Sequence, residues 1–236
     1  MGRKKVNHIL QLKEEKKRRY AEWLASLPYG KEEASEFYDK IYSSEISTYH
    51  LKPEDVHPIY HKFWSLVADY IANSDYNHVI DLGCGPGHFA QILRQYEIAN
   101  SKSIKFTGYD FSAQAIKMAS GKNISDKYSF HTQNLKEHNF LEFYEESNNS
   151  KTIFTAFEFL EHIEEDLEIL EKIPQGAGIG ISVPSHDAHG HVRFFRKLKH
   201  AEKRYKKYID IHLTTTLEEI KKEKINKWYV IVGKKR

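Results

Sequence analysis

A short loop rich in glycine carries the first side chains whose spacing predicts chemistry. The segment from Asp81 to Gly87 reads Asp-Leu-Gly-Cys-Gly-Pro-Gly and follows a short apolar run that is typical of a strand. Glycine has no Cβ, so the backbone of such a loop can turn sharply and approach a ligand closely. A loop of this kind at the end of a parallel strand predicts a ligand site beside the sheet. A glycine turn that binds no ligand is the alternative.

A second carboxylate ends the next predicted strand. Asp110 comes 29 residues after Asp81, and a carboxylate in this position can accept both hydroxyls of a ribose. The loop departs from the dinucleotide-binding pattern, because His88 stands where that pattern has its third glycine. Asp81 would also repel a pyrophosphate, whereas it would attract the free amino group of a sulfonium nucleoside. The two carboxylates therefore favour a sulfonium nucleoside over a nicotinamide dinucleotide.

A third group of polar side chains follows the fourth predicted strand. Glu158, Glu161 and His162 stand at relative positions 0, 3 and 4, and this spacing can place them on one face of a helical turn. Two carboxylates and an imidazole form a ligand set that suits Mg²⁺, Mn²⁺ or Zn²⁺. The alternative is the polar start of a helix, where Glu161 would favour the positive end of the helix dipole.

The elements that must position these groups alternate between short apolar runs and helical stretches. This alternation predicts a parallel sheet with crossover helices, and two further strand-like runs predict an antiparallel hairpin at its edge. The predicted fold is α/β: a doubly wound, mostly parallel seven-stranded sheet with an antiparallel C-terminal hairpin and an N-terminal helical lid. The predicted strands are residues 78–82, 104–109, 128–132, 151–157, 178–183, 208–215 and 227–232.

The glycine loop and Asp110 resemble those of the class I S-adenosylmethionine-dependent methyltransferases, and the resemblance covers roughly residues 77–235. It implies S-adenosylmethionine as the cofactor, with the glycines around its methionine portion, Asp81 near its amino group through water, and Asp110 on the ribose. Phe111 would flank the adenine. Relatives usually carry an acidic residue after the third strand, where Asn134 could accept the same hydrogen bond. The predicted cofactor site comprises Asp81, Gly83, Cys84, Gly85, Gly87, Asp110, Phe111, Asn134, Leu135 and Phe157.

The Glu-x-x-Glu-His segment extends this resemblance to two groups of metal-dependent O-methyltransferases. One group makes ubiquinone precursors, and the other methylates the 2′-hydroxyl at the 3′ end of small RNAs. By this resemblance, His191 joins Glu158, Glu161 and His162 as catalytic residues and candidate metal ligands. In both groups a divalent ion is thought to hold the acceptor hydroxyl beside the methyl group and to lower the hydroxyl pKa. Substrate contact without a metal is the alternative role of the two histidines.

Helical spacing dominates the residues before the first strand, with helices predicted over 5–27, 32–42 and 58–72. We expect two regions: a helical leader and lid, residues 1–76, and a methyltransferase domain, residues 77–236. In many relatives such a lid lines the acceptor pocket, which makes its aromatic residues candidate substrate contacts; packing of the lid against the domain explains them equally well. These substrate candidates are Tyr38, Tyr42 and Tyr49.

The composition limits the class of protein. The chain has 236 residues, of which 40% are hydrophobic, and this suits one α/β domain with an appendage. The single cysteine, Cys84, excludes an internal disulfide and a cysteine-cluster zinc site. The sequence contains neither an apolar run long enough to span a membrane nor the apolar core of a secretory signal, so we expect a cytoplasmic protein without a membrane contact.

Positive charge is concentrated near the two ends of the chain, although the net charge is only +3. Solvated helix faces are the simpler interpretation, and contact with an anionic substrate such as RNA is the alternative. The basic N-terminal helix could also dock a partner protein. The sequence thus predicts an S-adenosylmethionine-dependent O-methyltransferase acting on a small molecule, with a divalent metal as an assistant. An RNA 2′-O-methyltransferase and a non-catalytic scaffold that keeps the cofactor fold are the alternatives.

Overall fold

A computed structural model of the chain describes residues 2–27, 29–122, 124–137, 140–141, 144, 146–221 and 224–236. In these residues the α-helices are α1 Gly2–Ala25, α2 Ser35–Ser43, α3 Pro53–Val56, α4 Pro58–Ala72, α5 His88–Ala99, α6 Ala113–Gly121, α7 Asp166–Lys172 and α8 Leu198–Tyr205. The β-strands are β1 His78–Leu82, β2 Lys105–Asp110, β3 Tyr128–Thr132, β4 Thr152–Phe157, β5 Gly178–Pro184, β6 Ile209–Lys221 and β7 Lys224–Lys235. Short 3₁₀ helices cover Thr48–His50, Glu146–Lys151 and Leu160–His162.

The strands form one seven-stranded sheet in the order β3-β2-β1-β4-β5-β7-β6. The strands β1 to β5 are parallel to one another, while β7 is antiparallel to both β5 and β6. The predicted fold class is therefore confirmed, including the antiparallel C-terminal hairpin. This hairpin is longer than predicted, because its outer part is rich in Glu and Lys, which are uncommon in strands.

Two apolar clusters cover the two faces of the sheet. On one face, α4 buries Phe63, Val67 and Ile71 against strand residues that include Val79 and Phe106. The cluster on the other face packs α7 and α8 against the strands. The boundary expected after residue 76 thus separates α4 from the strands that its apolar face covers, although α4 belongs to the same core.

The second helix lies over the carboxyl ends of the strands. Asp39 of α2 accepts hydrogen bonds from the Ser112 hydroxyl, at 2.5 Å, and from the Gln114 backbone amide, at 3.1 Å. These contacts connect α2 to the start of α6, where α6 leaves the second strand. The helix α1 precedes α2, and most of its residues from 11 to 25 are exposed. No helix in the described part of the chain combines the length and apolar character that crossing a membrane requires.

Candidate functional site

The glycine loop lies between β1 and α5, as the sequence predicts. Gly83, Gly85 and Gly87 all have positive φ angles, of 72°, 52° and 76°. A side chain at Gly83 would overlap the ring of Phe159, so this position needs glycine for space as well as for conformation. The backbone amide of Gly85 donates to a carboxylate oxygen of Asp110 at 2.9 Å. This bond fixes the loop against the end of β2.

Two cavities meet at this loop. Both are partly open to solvent. Both cavities are bordered by Tyr42, Gly83 and Glu158. The first also contains the predicted residues Tyr38, Asp110, Phe111, Asn134, Leu135 and His162. The second also contains the predicted residues Tyr49, Asp81, Cys84, Gly85 and Phe157.

Each cavity holds a buried aspartate that the sequence predicts as a cofactor contact. Asp81 accepts a hydrogen bond from the Thr155 hydroxyl at 2.6 Å, and Asp110 accepts one from the Ser112 backbone amide at 2.9 Å in addition to that from the loop. Burial raises the pKa of Asp81 to about 7 and that of Asp110 to about 6. Both carboxylates therefore gain from a ligand that supplies hydrogen-bond donors or a positive charge.

Glu158 corrects the prediction of a helical turn. Its backbone has a φ of 49°, so it forms a left-handed bend after β4, and the 3₁₀ helix begins only at Leu160. Its carboxylate accepts hydrogen bonds from the Ser182 hydroxyl and from the Trp228 indole N–H, each at 2.9 Å. Burial raises the pKa of Glu158 to about 7. The carboxylate is thus directed to the junction of the cavities and lies outside the group of candidate metal ligands.

The remaining three candidate ligands do come together. One ligand atom from each of Glu161, His162 and His191 lies within 4.8 Å of the others, and the two imidazole rings are 4.7 Å apart. The Glu161 carboxylate is completely buried, and neither of its oxygens has a hydrogen-bond partner among the described residues. The Nδ1 atom of His191 is also buried without a partner in that part of the chain. We call these three residues the Glu161 cluster.

Electrostatics leave the Glu161 cluster in need of a positive charge or a proton. Burial, together with repulsion from Glu158, raises the pKa of Glu161 well above its usual range. Burial lowers the pKa of His162 to about 4 and that of His191 to about 3, so both imidazoles are neutral at pH 7. The Nδ1 atom of His162 lies 2.9 Å from the carbonyl oxygen of Gly190, which can only accept. The proton of the neutral ring is therefore on Nδ1, and Nε2 keeps the lone pair that can accept a hydrogen bond or bind a metal ion.

The lid tyrosines reach both parts of the site. The Tyr38 hydroxyl lies 3.0 Å from Nδ1 of His162, and its ring packs against Phe111. Tyr42 and Tyr49 pack against each other at the second cavity. Burial raises the pKa of Tyr49 to about 12, so its hydroxyl stays protonated and can donate.

Two predicted contacts have other structural roles. Gly87 borders neither cavity: it begins α5, and a side chain there would press on Ala119. Asn134 borders the first cavity, but its side-chain oxygen accepts a hydrogen bond from the Lys136 backbone amide at 3.1 Å. That oxygen would have to be shared for Asn134 to bind an adenine amino group.

Several residues of the site carry no local sequence signal. Ser182 and Trp228 hold Glu158, yet they come from β5 and β7, far along the chain from the glycine loop. Glu33 of the lid has a buried carboxylate oxygen without a described partner and borders the first cavity. Only the tertiary structure brings these side chains to the motifs.

Comparisons with known proteins identify the family and the fold. The model of one protein family, described as a methyltransferase domain, matches residues 73–232. A comparison with curated protein sequences finds no match.

Solved structures share the fold at low sequence identity. The N-methyltransferase NodS from Bradyrhizobium japonicum, in complex with S-adenosyl-L-homocysteine, aligns with a TM-score of 0.60 and 12% identity over 84% of this chain and 97% of that chain. A Haloferax volcanii protein solved with a methyltransferase activator aligns with a TM-score of 0.57 and 14% identity over 86% of this chain and 98% of that one. Phosphoethanolamine N-methyltransferase 2 from Haemonchus contortus, in complex with S-adenosyl-L-methionine, aligns with a TM-score of 0.52 and 11% identity. The alignment covers 72% of this chain and 52% of that chain.

Proposed function

Because the chain belongs to the methyltransferase-domain family of class I S-adenosylmethionine-dependent methyltransferases, we propose that it transfers the methyl group of S-adenosylmethionine to a hydroxyl of a small-molecule acceptor. The observation that carries the proposal is the pair of cavities that meet at Gly83 beside the Glu161 cluster. The first cavity suits the nucleoside portion of the cofactor, and the second suits its amino-acid portion. The Glu161 cluster suits the oxygen of an acceptor.

The cavities fit S-adenosylmethionine in their charges and donors. Asp110 in the first cavity can accept the ribose hydroxyls, while the apolar side chains of Phe111 and Leu135 offer faces for the adenine. Asp81 in the second cavity can compensate the ammonium group of the methionine portion. Burial leaves both carboxylates short of compensating charge, which favours a ligand that brings donors and an ammonium group.

The Glu161 cluster fits a divalent cation. Glu161, His162 and His191 would hold it, because a buried carboxylate without partners and neutral imidazoles are what such an ion needs. The bond from His162 Nδ1 to the Gly190 carbonyl is the outer contact that orients a ligating histidine. A bound cation would hold the acceptor hydroxyl and lower its pKa.

Methyl transfer to a hydroxyl breaks the carbon–sulfur bond, forms a carbon–oxygen bond and releases the hydroxyl proton. A cation held by His162 and His191 would occupy their lone pairs and lower the pKa of the hydroxyl, so that its proton could pass to water; without the cation, a neutral imidazole of the pair is the group that can take it up. The lid contributes by covering the reactants and excluding water, since Asp39 fastens α2 to the domain and Tyr38 reaches His162. Holding the two reacting atoms in line supplies much of the rate.

A transfer assay tests the proposal. The protein is incubated with methyl-labelled S-adenosylmethionine and a metabolite extract, and the labelled product is identified by mass spectrometry. We expect label in a methyl ether of a small molecule, and much less label with the Asp110→Ala control when S-adenosylmethionine is kept near the Kd of the wild type. Failure of the wild-type protein to bind S-adenosylmethionine by calorimetry would contradict the proposal.

A chelator separates the metal from the rest of the proposal. Excess EDTA is expected to abolish turnover and to leave the calorimetric affinity for S-adenosylmethionine unchanged, and added Mg²⁺, Mn²⁺ or Zn²⁺ should restore turnover. Full activity in excess chelator would remove the metal from the mechanism while keeping the methyl transfer.

RNA is a second candidate acceptor, because two exposed lysines of α8 have no carboxylate partner among the described residues, whereas Arg204 of the same helix pairs with Asp166. On α1, Lys16 and Lys17 pair with glutamates at 3.0 and 3.1 Å. On α8, the exposed Lys199 and Lys203 pair with no acidic side chain in the residues that the structure describes. This helix follows the loop that carries His191, so an RNA backbone on α8 would pass close to the site.

Gel shifts with short RNA at rising salt test this candidate. Binding through phosphates should weaken steeply as salt rises, and Lys199→Glu with Lys203→Glu should weaken it further. The matched control is Lys16→Glu with Lys17→Glu on α1, which should have little effect. RNA binding that neither salt nor the α8 changes affect would contradict RNA as the acceptor.

A further inference from the structure

We propose that Glu158 and the aromatic side chains beside it form a cation site that recognises the sulfonium of S-adenosylmethionine and rejects the neutral thioether of the product. The inference rests on the proposed function and assigns Glu158 a role other than metal binding. It makes Glu158 a residue that determines which form of the cofactor is held.

Glu158 lies where the two cavities meet. Among the residues that border both cavities, Glu158 is the one that carries a charge; the other two are Tyr42 and Gly83. In the cofactor, the sulfur atom joins the adenosine portion to the methionine portion. If each portion occupies one cavity, the sulfur must lie where the cavities meet, and this is where the Glu158 carboxylate is found.

The Glu158 carboxylate is held in place by two hydrogen-bond donors. Ser182 from β5 and Trp228 from β7 each donate to a different oxygen of Glu158 at 2.9 Å. The backbone of Glu158 is in the left-handed region, which is strained for a non-glycine residue and persists where the surroundings fix it. The two donors favour the ionised form and oppose the burial that raises the pKa of Glu158 to about 7, so the carboxylate is mostly ionised at pH 8.

The wall of the second cavity, which Glu158 borders, is aromatic. It contains six large aromatic residues, and no lysine or arginine among the described residues. The lysine of the first cavity, Lys136, is paired with Glu32 at 2.7 Å and with Glu165 at 3.2 Å. Aromatic faces and a carboxylate attract a cation together, whereas a thioether gains little from either. The six aromatic residues are Tyr42, Tyr49, Tyr60, Trp64, Phe89 and Phe157.

This arrangement has a consequence for turnover. Methyl transfer converts the positively charged sulfonium into a neutral thioether, so the attraction to Glu158 disappears at the moment the product forms. The site then holds the spent cofactor more weakly than the fresh one, which favours exchange of product for substrate.

Calorimetric titrations at pH 8 test the proposal with three probes: S-adenosylmethionine, S-adenosylhomocysteine and sinefungin, which carries an amine in place of the sulfonium. Wild-type protein should bind the two cations more tightly than the thioether. Glu158→Gln should weaken both cations by at least about tenfold and change the thioether by less than about threefold. The matched control is Asp81→Asn, which should weaken all three alike because all carry the same amino-acid portion.

The outcomes separate this inference from the proposed function. Equal weakening of cations and thioether in Glu158→Gln, or no weakening of either, would overturn the cation site and leave the methyltransferase proposal intact. Wild-type protein that binds none of the probes would overturn the proposed function and this inference with it. If Glu158→Gln does not melt cooperatively, Ser182→Ala replaces it: it removes one donor, and selective weakening of the cations supports the proposal while equal weakening overturns it.

Discussion

The two cavities and the Glu161 cluster both enclose carboxylates, but the carboxylates differ in their partners. Asp110 and Glu158 each accept two hydrogen bonds and Asp81 accepts one, whereas the Glu161 side chain accepts none from the described residues. Enclosing a carboxylate costs several kcal/mol unless donors or a counter-charge compensate it. The cavities are therefore built to receive a ligand in their present form, while the cluster is incomplete without a cation or a proton.

This difference separates binding from chemistry. Changes in the cavities should act on cofactor affinity, because their carboxylates are already placed for it. Changes in the cluster should act on turnover and on the response to metal ions.

The largest effect is expected for Glu161→Gln. The change keeps the size of the side chain and removes the charge, so it should lower turnover by about 100-fold or more and leave S-adenosylmethionine affinity unchanged. Saturating Mn²⁺ or Zn²⁺ should raise the melting temperature of the wild type by several degrees and should not raise that of the variant. Equal metal-induced shifts in both proteins would break the contrast.

A smaller effect is expected for Asp110→Ala in the first cavity. The change removes the acceptor for the ribose and the bond that fixes Gly85, so S-adenosylmethionine affinity should fall by about 10- to 100-fold. Calorimetry measures the loss, and the metal-induced melting shift provides the control. If that shift also disappears, the two regions are not independent.

The pH dependence of stability tests Asp81. Its folded-state pKa of about 7 lies above the usual value near 4, so its contribution to stability is present at acid pH and is lost as the pH rises toward 7. Asp81→Asn should therefore melt about 5 °C above the wild type at pH 8 and at the same temperature near pH 4. Comparing the two proteins cancels the opposite contribution of the histidines, whose lowered pKa values act below pH 6.5. A constant offset at both pH values would contradict the shift.

The smallest effect is expected for Tyr38→Phe. Tyr38 borders the first cavity and contacts His162, so it is shared by both regions. Loss of one hydroxyl should lower cofactor affinity and turnover by only about threefold each. Steady-state kinetics would measure KM for the cofactor and turnover separately. A large loss in affinity alone would assign Tyr38 to the cavities, and a large loss in turnover alone would assign it to the Glu161 cluster.

Local patterns predicted the seven strands, most of the helices and the glycine loop, because these features follow from neighbouring residues, but they did not predict α3 or α8. Spacing failed at Glu158, since positions 0, 3 and 4 share a face only if the backbone is helical, and the backbone there is left-handed. Nothing near Trp228 in sequence indicates that its indole N–H binds that carboxylate. The helix α4 was also predicted, but its place in the core depends on contacts with strands that come later.

Trp228 lies in β7, which follows the other strands in sequence and yet occupies an inner place in the sheet, between β5 and β6. During translation, the glycine loop and the five parallel strands therefore leave the ribosome before the strand that covers the edge of β5. A nascent chain that stops short of residue 224 presents that edge unpaired, which is a template for aggregation. A nonsense mutation that removes β7 would keep the glycine loop and the residues of the Glu161 cluster. The quality-control machinery of the cell would still degrade the truncated chain.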